Sequence, residues 1–166
     1  LLFFVRQLRD GRADIFVAGL DSLGMPGEPR AVSGINTPFR EMTPWLSDEE
    51  QALYFSSDGW PGLGGLDVYR FQWPDGAEPE HLGQPLNTSY NDFYFTKTAD
   101  GLTAYLASNR PGSYHLDRAH DACCNDIYLA AELQDTLRLP PVADTLLVPP
   151  VVVEGPPTPT RLSDFL

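Results

Sequence analysis

The sequence predicts an all-β fold assembled from repeated antiparallel units, and three observations carry that prediction. One phrase is written twice, with a weaker copy ahead of it. Leu53–Arg70 reads LYFSSDGWPGLGGLDVYR, residues 104–129 read AYLASNRPG, an insertion and then NDIYL, and residues 1–17 read LLFFVRQLRDGRADIFV. Each copy runs from an apolar strand through a polar, Gly-containing loop to an Asp-aliphatic-aromatic triplet: Asp14-Ile15-Phe16, Asp67-Val68-Tyr69 and Asp126-Ile127-Tyr128. The register also survives subtraction. Asn36 and Asn87, Tyr54 and Tyr105, and Ser57 and Ser108 all differ by 51, while the triplets are 53 apart (67 − 14) and then 59 apart (126 − 67). A constant offset, with the excess length confined to the loop between Pro111 and Asp126, marks stacked supersecondary units.

The elements follow in order. Residues 2–6 are strand-like, Asp10-Gly11 is a hairpin signal, and residues 13–20 form the return strand. Asp21–Glu28, with Gly, Met and Pro, reads as an exposed loop. The second unit is the fullest: a short strand over 41–46, a polar turn over 47–50, and a strong aromatic strand over 52–57. Next comes the loop SDGWPGLGG, whose glycines permit positive φ. Residues 66–72 (LDVYRFQ) alternate apolar and polar, the period of a half-buried strand. A turn at Pro74-Asp75-Gly76 and a short outer strand over 80–82 complete the unit. The third repeats it with strands over 92–97, 102–108 and 125–130, a turn at Asp100-Gly101, and a fourth strand near 136–139. Four antiparallel strands in about 50 residues match one propeller blade. The predicted architecture is therefore a partial β-propeller of about two and a half blades over residues 1–139. A Pro-rich linker over 140–159 follows, extended in the polyproline manner. Residues 160–166 (TRLSDFL) regain an apolar pattern and read as the threshold of a further domain.

Composition narrows the function. A net charge of −12 and a pI near 4.4 argue against nucleic acid, whose phosphates require Lys and Arg. They suit an acidic solvated surface and leave room for a divalent cation. No run approaches the ~20 apolar residues of a membrane helix. Leu1–Val5 is too short for a signal-peptide core, and the chain reads as starting inside a repeat, as a fragment of a longer protein would. Enzyme motifs are missing: there is no G-x-S-x-G elbow, no H-E-x-x-H and no phosphate-cradling Gly loop. The expectation is a non-catalytic protein with no cofactor.

Several residues stand out. Ser57-Asp58 and Ser108-Asn109 occupy matching positions after the second strand, where Asp and Asn cap turns through nearby backbone N–H groups. The rival reading makes them part of a cation or ligand site with Asp67 or Asp126, although hard cations want more oxygens than one such loop supplies. Asp14, Asp67 and Asp126, with Tyr69 and Tyr128 beside two of them, read as architectural, because catalytic groups are seldom repeated in every unit. Asn36 and Asn87 belong with them as repeat markers. The insertion SYHLDRAHDACCN holds His115, Asp117, His120, Asp121, Cys123 and Cys124, all metal-ligating types, but in a spacing that fits no standard zinc pattern. Cα atoms of the adjacent cysteines lie ~3.8 Å apart, below the roughly 4.4–6.8 Å of an ordinary disulfide. A distorted ring, two thiols and bonds to other chains all stay open. Trp60 and Trp73 lie in or beside loops and are the candidates for a contact surface, whereas Trp45 reads as core.

SSDGWPGLGGLDVYR, then LGQPLNTSYNDFYF, then ASNRPG and NDIY resemble the TolB-like (WD40-like) propeller repeats of Bacteroidetes-type OmpA-family envelope proteins. The shared phrase is LG-x-P-[LI]-NT-x-x-[ND]-D, here Leu82–Asp92, and the resemblance covers Leu1–Leu133. It implies a protein-interaction or structural scaffold in the periplasm or at the outer membrane of a Gram-negative envelope. Its partner would be an envelope protein, and peptidoglycan would be reached only through a domain outside this chain. Two alternatives accompany it, a glycan-binding propeller that uses Trp60 and part of a propeller-fold hydrolase.

Overall fold

The computed structural model describes residues 1–113 and 125–131. Ten strands appear in order: β1 (Leu2–Gln7), β2 (Ala13–Ala18), β3 (Arg30–Ala31), β4 (Glu41–Ser47), β5 (Ala52–Ser57), β6 (Asp67–Gln72), β7 (Glu80–His81), β8 (Asp92–Lys97), β9 (Thr103–Ser108) and β10 (Asp126–Ala131). They pair as three antiparallel sheets, ordered β1-β2-β3, β4-β5-β6-β7 and β10-β9-β8. The Asp-Gly signals are real turns. Gly11 and Gly101 take φ of 89° and 70° and donate their amides back to the carbonyls of Leu8 and Thr98.

Alternation decides what each sheet buries. On β2, Ile15 and Val17 point inward with Phe3 and Val5 of β1. They meet Leu53, Phe55, Tyr69 and Phe71 from one face of the central sheet. Its opposite face carries Ala52, Tyr54 and Val68, which meet Phe95, Ala104 and Leu106 of the third sheet. Every residue of β5 is therefore buried, which is why ALYFSS has so little polar alternation. Full burial of each large side chain here contributes about 1.5–3 kcal/mol, so the two apolar layers dominate the stability of the sheets.

The predicted partial propeller is not what the chain forms. A propeller repeats four-stranded sheets, four to eight of them, around a central channel. Here the sheets have three, four and three strands and are separate, and among the described residues none closes or curls into a ring. Individual strands lie close to where alternation and turn residues place them, because those signals are local. The arrangement of sheets is not a local property. In the long loop, Gly62 and Gly64 do not take positive φ; they are close-approach positions. A Cβ on Gly62 would lie 2.1 Å from Asp67 Oδ2, and one on Gly64 would lie 2.2 Å from the Tyr90 carbonyl oxygen. The fourth strand near 136–139, the linker and the 160–166 segment lie outside the described residues.

Candidate binding cleft

β4 and β8 begin alike. Each opens on a carboxylate, Glu41 or Asp92, that is fully buried. Glu41 accepts the Thr37 amide (2.8 Å), the Thr37 hydroxyl (2.7 Å) and the Ser57 hydroxyl (2.8 Å). Asp92 accepts the Thr88 amide (2.6 Å) and hydroxyl (2.8 Å), and pairs with Arg110 Nη2 at 2.6 Å. These anchors fix the strand origins. Two residues further on, each strand bulges: the register of β4 on β5 shifts between Met42 and Trp45, and that of β8 on β9 between Phe93 and Thr96. Inside the bulges Thr43 and Tyr94 adopt left-handed backbone, with φ of 52° and 54°. That conformation is uncommon for any side chain other than Gly, Asn or Asp. The strain is held by neighbours. The Thr43 hydroxyl donates to Ser56 Oγ (3.0 Å) and accepts the Tyr94 amide (3.3 Å).

The bulges re-aim side chains into a cleft where the edge strands β1, β4 and β8 meet. Its volume is about 530 Å³, and its walls include Phe3 and Val5, then Met42, Pro44 and Trp45, then Tyr94 and Phe95. The volume falls in the range of small-molecule sites. The wall carries no carboxylate, imidazole or amine; its hydrogen-bonding side chains are the hydroxyls of Thr43, Thr96 and Tyr94 and the indole of Trp45. A surface of that kind can hold an apolar ligand and orient it through hydroxyls and an indole N–H.

The residues singled out from sequence lie elsewhere. Asn36 and Asn87 act as side-chain strands: Asn36 exchanges hydrogen bonds with the Ile15 backbone (2.8 and 2.9 Å), and Asn87 with Val68 (2.7 and 2.8 Å). Asp67 Oδ2 accepts the amides of Leu63 and Gly64, and the Tyr69 hydroxyl donates to the carbonyls of Trp60 and Pro61. Burial, and then the Asp67 charge, push the Tyr69 phenol well above its ordinary pKa. The second oxygen of Asp67 is buried without a hydrogen bond, 3.7 Å from His81 Nε2. Asp14 likewise has one buried oxygen without a hydrogen bond. Asp126 opens β10 opposite Ser108, and the Tyr128 hydroxyl lies 2.8 Å from Ser113 Oγ.

Asp58 binds the Arg40 amide and guanidinium, and Asn109 Oδ1 accepts the Asn91 amide. Ser57 Oγ accepts the Gly59 amide, and Ser108 Oγ the Arg110 amide. Asp58 and Asp67 thus have separate partners and do not converge on a shared cation position. Among the described residues no group of three or more His, Cys, Asp or Glu is placed to hold a metal. The readings on His115, Asp117, His120, Asp121, Cys123 and Cys124 lie outside the described residues. Trp60 and Trp73 both pack on the first apolar cluster, Trp60 with its indole N–H on the Ile35 carbonyl (2.8 Å) and Trp73 edge-on to Phe3. Trp45 packs on the second. The cleft itself escapes the sequence reading. A Pro at position 44 inside a strand pattern is the signal for a bulge, and adding 51 to Thr43 gives Tyr94.

No family model matches the chain, and no curated protein matches it. With that finding and the open arrangement of three sheets, the likeness to TolB-like, OmpA-family propeller repeats does not stand. The functions drawn from it, an envelope propeller scaffold, a glycan-binding propeller and a propeller hydrolase, lose their basis in the fold. Among the described residues no helix is long and apolar enough to cross a membrane.

Proposed function

We propose that the chain is a non-catalytic binding module that takes an apolar ligand of small-molecule size in the cleft between β1, β4 and β8. The observation that carries this reading is the pair of strained bulges. Left-handed non-Gly residues cost about 1–3 kcal/mol each and concentrate at ligand sites, and here both border one apolar cavity. The non-catalytic part rests on the wall chemistry, which is apolar groups, hydroxyls and an indole N–H, with no carboxylate, imidazole or amine.

The cleft is tested with Nile red as an apolar probe. Saturable binding is expected, weakened about tenfold or more, some 1.4 kcal/mol, by Tyr94→Arg and by Met42→Arg. Leu23→Arg, on the exposed 21–28 loop and outside the cleft wall, should leave it unchanged. Equal binding by wild type and both cleft variants would sink the reading.

A further inference from the structure

The repeat register assigns a direction to each sheet face. In the central sheet, Leu53 and Phe55 cover the first sheet, while Tyr54 and Val68 are covered by the third. Adding 51 to Tyr54 gives Tyr105; adding 59 to Val68 and Arg70 gives Ile127 and Leu129. These three therefore stand on the face that, in the central sheet, lies under a neighbouring sheet. Leu129 and Tyr105 are direct register partners, and Ile127 lies two residues away on the same side. Yet Tyr105 is 38%, Ile127 79% and Leu129 63% exposed.

The first sheet shows the complement. Subtracting 51 from Leu53 and Phe55 gives Leu2 and Phe4, the positions that do the covering. Leu2 is 40% exposed. With Phe4, Ala18, Pro26 and Pro29 it borders a hollow of about 270 Å³. Phe16, stacked on Phe4, continues this face, with the Arg6 guanidinium 4.2 Å over its ring. One copy thus carries a face of the covered kind at β9–β10 and a face of the covering kind at β1–β2.

We infer that the partner for these faces is a second copy of this chain, stacked head to tail. The β9–β10 face of one copy packs on the β1–β2 face of the next and continues the side-chain layering that joins the sheets within each copy. The inference does not depend on the cleft. Such an interface is heterologous, so it propagates into rings or filaments rather than stopping at a two-fold dimer. The charge of −12 per copy opposes association at low ionic strength, so added salt, by screening, strengthens it.

Sedimentation velocity on the full chain from about 1 to about 200 µM decides the matter, since self-association is concentration-dependent. Wild type is expected to pass beyond dimer, and further at high salt. Leu2→Glu, and separately the double variant Ile127→Lys with Leu129→Lys, should each remain monomeric, with circular dichroism confirming their strands. An equimolar mixture of the two should form a heterodimer and stop there, because each variant keeps the face the other has lost. Self-association of the Leu2→Glu variant alone would overturn the head-to-tail geometry in favour of paired β10 faces. A wild type monomeric throughout would overturn the proposal and give the faces to this chain's C-terminal segment or to another protein.

Discussion

The side chain of Asn87 is hydrogen-bonded to the backbone of Val68 through both its amide atoms, accepting the Val68 N–H at 2.7 Å and donating to the Val68 carbonyl at 2.8 Å. It does the work of a paired strand residue without being in a strand, and Asn36 does the same for Ile15. Asn87 is fully buried. Asn87→Ala would leave the Val68 N–H unpaired and the Val68 carbonyl with the Leu82 amide at 3.3 Å, and we expect a loss of about 1–3 kcal/mol, the cost of one unsatisfied buried group. Asn87→Asp keeps the acceptor but sets a carboxylate against the Val68 carbonyl. Its loss should be smaller in acid, where a protonated carboxyl can donate. Urea midpoints for both variants at two pH values check this; equal losses for Asp at both would contradict it.

Glu41 receives donors only: one amide and two hydroxyls. Glu41→Gln replaces an acceptor oxygen with an NH2 facing a donor, in a site closed to water. The expected loss is about 1–3 kcal/mol, the cost of one unsatisfied buried group. Glu49→Gln, on an exposed turn, should change stability by less than about 0.5 kcal/mol. Comparable losses for the two in thermal unfolding would remove Glu41 as the anchor of β4.

Three glycines should rank by what surrounds them. At Gly64 an added Cβ meets the backbone oxygens of Tyr90 and Thr88 at 2.2 and 2.6 Å. The loop before β8 must shift, and overpacking of this kind costs about 1–3 kcal/mol. Gly24 has open space but a φ of 78°, so Gly24→Ala should cost about 1 kcal/mol. Gly19 has neither constraint, and Gly19→Ala should be neutral or stabilise by up to about 1 kcal/mol through the unfolded chain. Melting temperatures of the three alanine variants give the order directly.

Strand positions are legible in the sequence because alternation, Asp-Gly turns and β-branched residues act over a few residues. Ala52–Ser57 coincides with its prediction residue for residue. The assembly is not legible for the same reason. The phrase from Leu82 to Asp92 reads as a family signature, yet its parts have local duties. Asn87 clamps Val68, Thr88 caps Asp92, and Asn91 holds the Leu66 amide at 3.0 Å. Such chemistry fixes how one sheet edge meets the next loop and leaves the number and closure of sheets open. The cleft is hidden for a different reason. Thr43 and Tyr94 share no residue type, and what they have in common is a backbone conformation imposed by the bulge.

Glu50 binds the central sheet to the third through charge. It pairs with Lys97 at 2.5 Å, accepts the Tyr54 hydroxyl, and lies 3.6 Å from Arg70. Burial pushes the Glu50 carboxyl up, but hydrogen bonds from Lys97 and Tyr54 outweigh it and hold the group below its ordinary 4.5. Burial likewise pulls Lys97 down, and its bond to Glu50 wins, leaving the amine above its ordinary 10.5. The signs then fix the window. Glu50 is depressed on folding, so its contribution is present above about pH 4.5 and is lost as pH falls through the lower folded value. Lys97 is elevated, so its contribution is complete below about pH 10.5 and is lost as pH rises through the higher folded value. Both side chains are about a quarter to a third exposed, so solvent screening holds the pair to about 0.5–1 kcal/mol. Lys97→Met should cost that amount near neutral pH, and the difference from wild type should shrink as the pH is lowered toward about 3. The same difference should shrink in about 1 M salt. Urea midpoints of the two proteins across that range provide the check. A difference that stays constant with both pH and salt would assign Lys97 to packing over the Tyr54 ring, 5.3 Å from its ammonium, and not to the pair.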